Sequence, residues 1–142
     1  MEKIFLDTSF LFAYYNADDE DHELALDLIK DMVNNKVDII ISDYIFDELI
    51  TLLLARTNKS MAIEVCNKLI KEIKSGNIEL NYVDNEIFME ALNIFIHFKD
   101  KKWSFTDCTS YAIIKNANIT KAVAFDRHFR QFGIEILPLE TS

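Results

Sequence analysis

Four carboxylates stand out in this chain by where they fall: Asp7, Glu48, Asp107 and Asp126. Asp7 ends the apolar run Ile4-Phe5-Leu6, of the kind that fills a strand buried on both faces of a parallel sheet. Asp126 ends a second such run, Lys121 to Phe125. Asp107 closes Ser104-Phe-Thr-Asp, the Ser-x-x-acid pattern of a capping box. Glu48 falls within a helix that is otherwise apolar nearly all round, where an isolated charge is costly. Ligands of open α/β sheets bind outside the carboxyl ends of the strands, where strand ends and helix starts meet, so acids remote in sequence can converge there. Two ionised carboxylates about 5 Å apart repel by roughly 3 kcal/mol at an effective dielectric of about 20. Shared protons can hold such a cluster, and so can divalent cations. An all-oxygen donor set suits Mg²⁺ or Mn²⁺ better than Zn²⁺. A cation so held can activate water and stabilise the oxyanions of a phosphodiester. Thr8 and Ser9, which follow Asp7, can position a carboxylate or a metal-bound water.

Each acid also has a purely structural reading. Asp107 can be a cap, a ligand or both, Asp126 a turn residue, and Glu48 part of a narrow exposed stripe with Asp47. The phase of the helix separates the last pair: Glu48 lies three residues after Ile45 and four before Leu52 on the apolar face, and a one-residue slip turns a side chain by about 100°.

The elements that must carry these acids alternate. Strands are expected at Ile4–Leu6, Val37–Ile41, Ile78–Val83, Lys121–Phe125 and Ile134–Leu137. Helices are expected at Ser9–Asn16, from the acidic knot Asp18–Asp21, which reads as the N-terminal turn of the second, after the Ser42 cap, at about Ser60–Lys74, at Asn85–Phe98 and from Ser104 to about Asn116. Arg127–Phe132 reads as a helical turn ended by Gly133. The alternation indicates a three-layer α/β/α fold with a parallel sheet of about five strands.

The 142 residues fit one domain, 1–142, and 50% hydrophobic content supplies a full core. No apolar run approaches the roughly 20 residues of a membrane span, and Met-Glu-Lys-Ile lacks the basic region of a signal peptide. Cys66 and Cys108 are far apart and form no Cys-x-x-Cys pair, which points to a reduced, cytoplasmic protein. A net charge of -9 argues against nucleic-acid binding by bulk attraction, though not against an enzyme whose acids are neutralised locally by metal.

Asp7-Thr-Ser at the first strand, Glu48 in the third helix, Phe105-Thr-Asp-Cys108 opening a helix and Phe125-Asp-Arg-His-Phe129 after a strand resemble the PIN-domain nucleases. Within them the chain is similar to the VapC-like toxin ribonucleases of type II toxin–antitoxin systems. The resemblance implies Mg²⁺- or Mn²⁺-dependent endoribonuclease activity on an RNA substrate, a homodimer, and a small antitoxin as partner. It makes Asp7, Glu48, Asp107 and Asp126 the acidic, metal-holding site, with Thr8 or Ser9 in support.

Among the remaining residues, Arg127 and Arg130 are candidate RNA phosphate contacts near Asp126, with a solvated turn as the alternative. Trp103 can stack on a base or belong to the core or a dimer contact. The histidines have no ligand spacing, and His128 reads as a surface residue. Two other functions stand beside the nuclease. One is a phosphohydrolase with an aspartyl-phosphate at Asp7, although no second acid follows closely. The other is a non-catalytic, metal-stabilised module that docks a basic partner.

Overall fold

The apolar run before Asp7 is a strand, and it lies in the middle of the sheet. The computed structural model describes residues 2–139. Its strands are β1 (Lys3–Leu6), β2 (Asp38–Ser42), β3 (Ile78–Asn81), β4 (Lys121–Val123) and β5 (Glu135–Leu137). All neighbours pair in parallel, in the order β3-β2-β1-β4-β5, with Phe5 opposite Ile40 on one side and Ala122 on the other. Ile4, Phe5, Leu6, Ile40 and Ile41 are buried, as strands covered on both faces require.

The helices are α1 (Thr8–Tyr15), α2 (His22–Asn34), α3 (Asp43–Arg56), α4 (Lys59–Lys74), α5 (Asn85–His97) and α6 (Phe105–Asn116), followed by a 3₁₀ turn, Arg127–Phe132. They flank the sheet in the expected three layers. Side-chain caps start most of them: Asp7, Ser42, Asn58, Asp84, Ser104 and Asp126 each accept a backbone N–H of the turn they open. Gly133, at φ +79°, ends the 3₁₀ turn in the left-handed region. The apolar α3 is not buried all round: Ile45, Leu49 and Leu53 face the core while Leu54 is exposed.

The chain builds β2 and β3 on one side of β1, then crosses to place β4 and β5 on the other. The switch point therefore lies between β1 and β4, and a crevice opens there at the carboxyl ends of the strands. Asp7 and Asp126 follow those two strands. Asp7 N–H donates to Val123 O at 3.0 Å, which ties the end of one strand to the other.

Trp103 is a core residue. It is buried against Phe98, Tyr111 and Phe132, and its Nε1–H donates to Gln131 Oε1 at 2.9 Å, so it presents no face to a base. Cys108 is buried, and loss of solvent, reinforced by the charge of Asp107, pushes its thiol up to about 11. Among the described residues no helix is long and apolar enough to cross a membrane.

Candidate active site

A cavity of about 500 Å³ occupies the crevice, and Asp7, Thr8, Ser9, Glu48, Asp107 and Asp126 all line it. Each acid arrives on a different element. Asp7 is the N-cap of α1, and its Oδ2 accepts from Ser9 N at 3.1 Å and from Ser9 Oγ. Glu48 lines the cavity from α3 while the adjacent Asp47 is exposed outside it, as the helical phase requires. Asp107 is held by a complete capping box: Ser104 Oγ accepts from Asp107 N, and Asp107 Oδ2 accepts from Ser104 N, both at 3.0 Å. Asp126 caps the 3₁₀ turn by accepting from His128 N at 2.9 Å. The cap reading and the cavity reading thus hold together for three of the acids.

The electrostatics are those of a crowded anionic site. Burial pushes the Asp7 carboxyl up to about 7; the Ser9 hydroxyl pulls against this, and the charges of Asp107 and Glu48 add to it. Glu48 is raised by burial, against the Thr8 hydroxyl, with Asp107 and Asp126 adding their charge. Asp107 is raised by burial, against the Ser104 N–H, and by Asp126. This mutual action shows that the four carboxyls share one field. Thr8 Oγ1 faces Glu48 closely enough to favour its ionised form, yet it is buried and completes no hydrogen bond of full geometry among the described residues.

Ser9 is the joint of the site. Its Oγ donates to Asp7 and accepts from Phe125 N at 2.9 Å and Asp126 N at 3.2 Å. One hydroxyl thereby connects the ends of β1 and β4. Removing the neighbouring cap instead, Ser104→Ala, is expected to cost about 1 kcal/mol in urea unfolding. Asp107 keeps the Ser104 N–H in that variant, which limits the damage to the site.

Sequence reasoning missed several lining residues. His128, read as a surface residue, places Nδ1 3.7 Å from both Asp107 Oδ2 and Asp126 Oδ1. Its signal was the spacing Asp126-x-His128, because an Asp that caps the residue two places on folds the chain back over itself. Asp19 and Asp21, read only as a helix start, also line the cavity, as do Arg56 and Lys102. The two candidate phosphate contacts are not there. Neither Arg127 nor Arg130 lines the cavity, and Arg130 instead donates to Pro138 O at 2.8 Å and Ile136 O at 3.5 Å, tying the 3₁₀ turn to the last strand.

As placed, no three His, Cys, Asp or Glu side chains among the described residues converge tightly enough to enclose a metal ion. The carboxylates are drawn toward hydroxyls and amides rather than toward one another, which is what like charges do. The donor set still suits a hard cation that keeps several of its own waters and needs only one or two carboxylates directly. Thr8 Oγ1 is a further oxygen without a completed bond.

A parallel sheet with an acidic cavity at its switch point defines the class of this protein. The chain belongs to the PIN domain family, whose model matches residues 4–135. It is 28% identical over 137 residues to the 23S rRNA-specific endonuclease VapC20 of Mycobacterium tuberculosis, covering 95% of this chain and 98% of that protein. It is 25% identical over 126 residues to a VapC ribonuclease of Archaeoglobus fulgidus, covering 87% of this chain and 77% of the relative. The crystal structure of Mycobacterium tuberculosis VapC20, described as a Sarcin-Ricin loop cleaving toxin, superposes with a TM-score of 0.78 at 27% identity, over 92% of this chain and 95% of that one. The DNA-bound VapBC of Salmonella typhimurium shares the fold, with a TM-score of 0.68 at 18% identity over 96% and 97% of the two chains.

Proposed function

We propose that this chain is a divalent-metal-dependent endoribonuclease that hydrolyses RNA phosphodiester bonds in the acidic cavity, and that it is the toxin of a toxin–antitoxin pair acting in the cytoplasm. The observation that carries the reading is the convergence of Asp7, Glu48, Asp107 and Asp126, from four separate elements, on one cavity in a PIN domain. The names of the two VapC relatives support RNA as the substrate. An antitoxin partner and a homodimer come with the likeness to VapC toxins.

The four carboxylates would hold Mg²⁺ or Mn²⁺, with Thr8 near Glu48. When bound, such a cation supplies Lewis-acid stabilisation of phosphodiester oxyanions and lowers the pKa of water. The chain's own residues do the rest. Ser9 fixes the direction of the Asp7 carboxylate and the position of the Asp126 backbone. The Ser104 box fixes Asp107. His128, between Asp107 and Asp126, brings a ring N–H or lone pair to the cavity.

Incubation with total RNA, followed by sequencing of the ends, tests this reading. Discrete cuts are expected with Mn²⁺ or Mg²⁺ and none with EDTA. Intact RNA under both conditions, with calorimetry showing metal bound, would instead favour a module that binds without turnover.

A further inference from the structure

An RNA strand approaching this cavity meets a wall of carboxylates on a chain of net charge -9. Among the described residues that line it, Arg56 and Lys102 are the only Lys or Arg. Two cations away from the cavity are held by the fold itself. Lys121, at the far end of β4, pairs with Glu2 at 3.1 Å and Glu135 at 3.3 Å, and Arg130 bonds backbone carbonyls. Neither Arg56 nor Lys102 has a carboxylate within 4.0 Å among the described residues, although Asp19 and Asp21 line the same cavity.

Arg56 is held in a different way. It stands in the last turn of α3 with its guanidinium carbon 5.8 Å from the centroid of the Phe12 ring. Phe12 is buried in α1 and is itself part of the cavity wall. A cation stacked on an aromatic face is restrained without using its N–H donors. The planar fork that remains matches two oxygens of one phosphate. Lys102 reaches the same cavity from the loop that leads to Ser104 and Asp107, exposed and bonded to nothing among the described residues.

We propose that Arg56 and Lys102 are the substrate-binding residues that grip the phosphates flanking the scissile bond, Arg56 as a fork braced on Phe12 and Lys102 as a point charge. The proposal rests on the endoribonuclease reading and deepens it: binding is local and works against the overall charge of the chain. It explains how a chain this acidic can hold RNA, because only the phosphates nearest the cut need a partner.

The test measures cleavage of a short single-stranded oligoribonucleotide carrying a mapped cut site, at saturating Mn²⁺, with Arg56→Ala, Arg56→Lys, Lys102→Ala and the double alanine variant. Each alanine variant is expected to raise KM about tenfold to a hundredfold with kcat within twofold, since a lost charged hydrogen bond to phosphate weakens binding by about that much. The log–log dependence of binding on salt should become shallower by about 0.7 for each cation removed. Arg56→Lys should keep the salt slope and recover only part of the affinity. Manganese affinity by calorimetry should not change. A double variant with KM and salt slope both unaltered overturns the proposal, and so does a fall in kcat alone. Lys102→Ala removes no hydrogen bond or ion pair among the described residues, so it tests the proposal even if Arg56→Ala unfolds. No cleavage by the wild-type protein would instead overturn the nuclease reading itself.

Discussion

Asp7→Asn is expected to reduce RNA cleavage at least a hundredfold while making the metal-free protein more stable. The substitution preserves size, and the amide oxygen can still accept from Ser9 N and Ser9 Oγ, so the cap of α1 survives. What disappears is a carboxylate drawn out of water. Burial raises this group from 3.8 to about 7, so between those pH values the folded chain binds more protons than the unfolded one. Stability then falls as pH rises through that window, because the unfolded state gives up its proton first. The cost is absent below about pH 4 and complete above about pH 7, and a shift of this size corresponds to at most roughly 4 kcal/mol. The wild-type protein should therefore melt higher at pH 5 than at pH 8, and Mn²⁺ should restore the melting temperature at pH 8 by replacing the proton as the balancing charge. Asp7→Asn should flatten both responses, with the raised Glu48 and Asp107 leaving a smaller slope of the same sign. Calorimetric melting against pH, paired with a cleavage assay, reads both effects. An Asp7→Asn protein that still cuts RNA would remove Asp7 from the site.

Ser9→Ala is the second large effect expected, and it acts through position rather than chemistry. The hydroxyl has one donor and two acceptor sites, and all are used: toward Asp7, Phe125 N and Asp126 N. Alanine leaves both N–H groups without that acceptor. The Phe125 bond is partly buried and the Asp126 bond exposed, so water repairs the second more easily, and the combined loss is about 2 kcal/mol. The Asp7 carboxylate also loses its restraint, and supporting residues of this kind are typically worth about 10–100-fold in activity or metal affinity. A structural role alone would not move the pH profile. The Ser9 hydroxyl favours the ionised form of Asp7, so its removal raises the carboxyl further, and the acidic limb of the activity profile should move to higher pH. Ser9→Thr keeps the hydroxyl and should recover most of the activity. A Ser9→Ala protein with an unshifted acidic limb would leave Ser9 as a fold residue only.

The same hydroxyl shows where reading the sequence stops. Thr8 and Ser9 were equal candidates for support beside Asp7. Both line the cavity, but only the fold directs Ser9 at the start of β4's exit loop, more than a hundred residues away in the chain, and leaves Thr8 Oγ1 facing Glu48. The choice between Asp47 and Glu48 was legible, because helical phase is a local property. The cations were not. Arg127 and Arg130 were favoured by their nearness to Asp126 in sequence, whereas Arg56 and Lys102 line the cavity from a helix end and a loop that no local pattern marks.

By itself the sequence determined the alternation of strands and helices, the parallel sheet, the caps and the family resemblance. The resemblance rests on short motifs and the rest on periodicity and short-range hydrogen bonding, all of which the chain writes within a few residues. The tertiary structure alone decided that β1 and β4 are neighbours, so that Asp7 and Asp126 meet. It also decided that His128 stands between two carboxylates and that Arg56 rests on Phe12. These are contacts between segments remote in the chain, set by strand order and by how helices pack across the sheet, and no spacing within one segment carries that information.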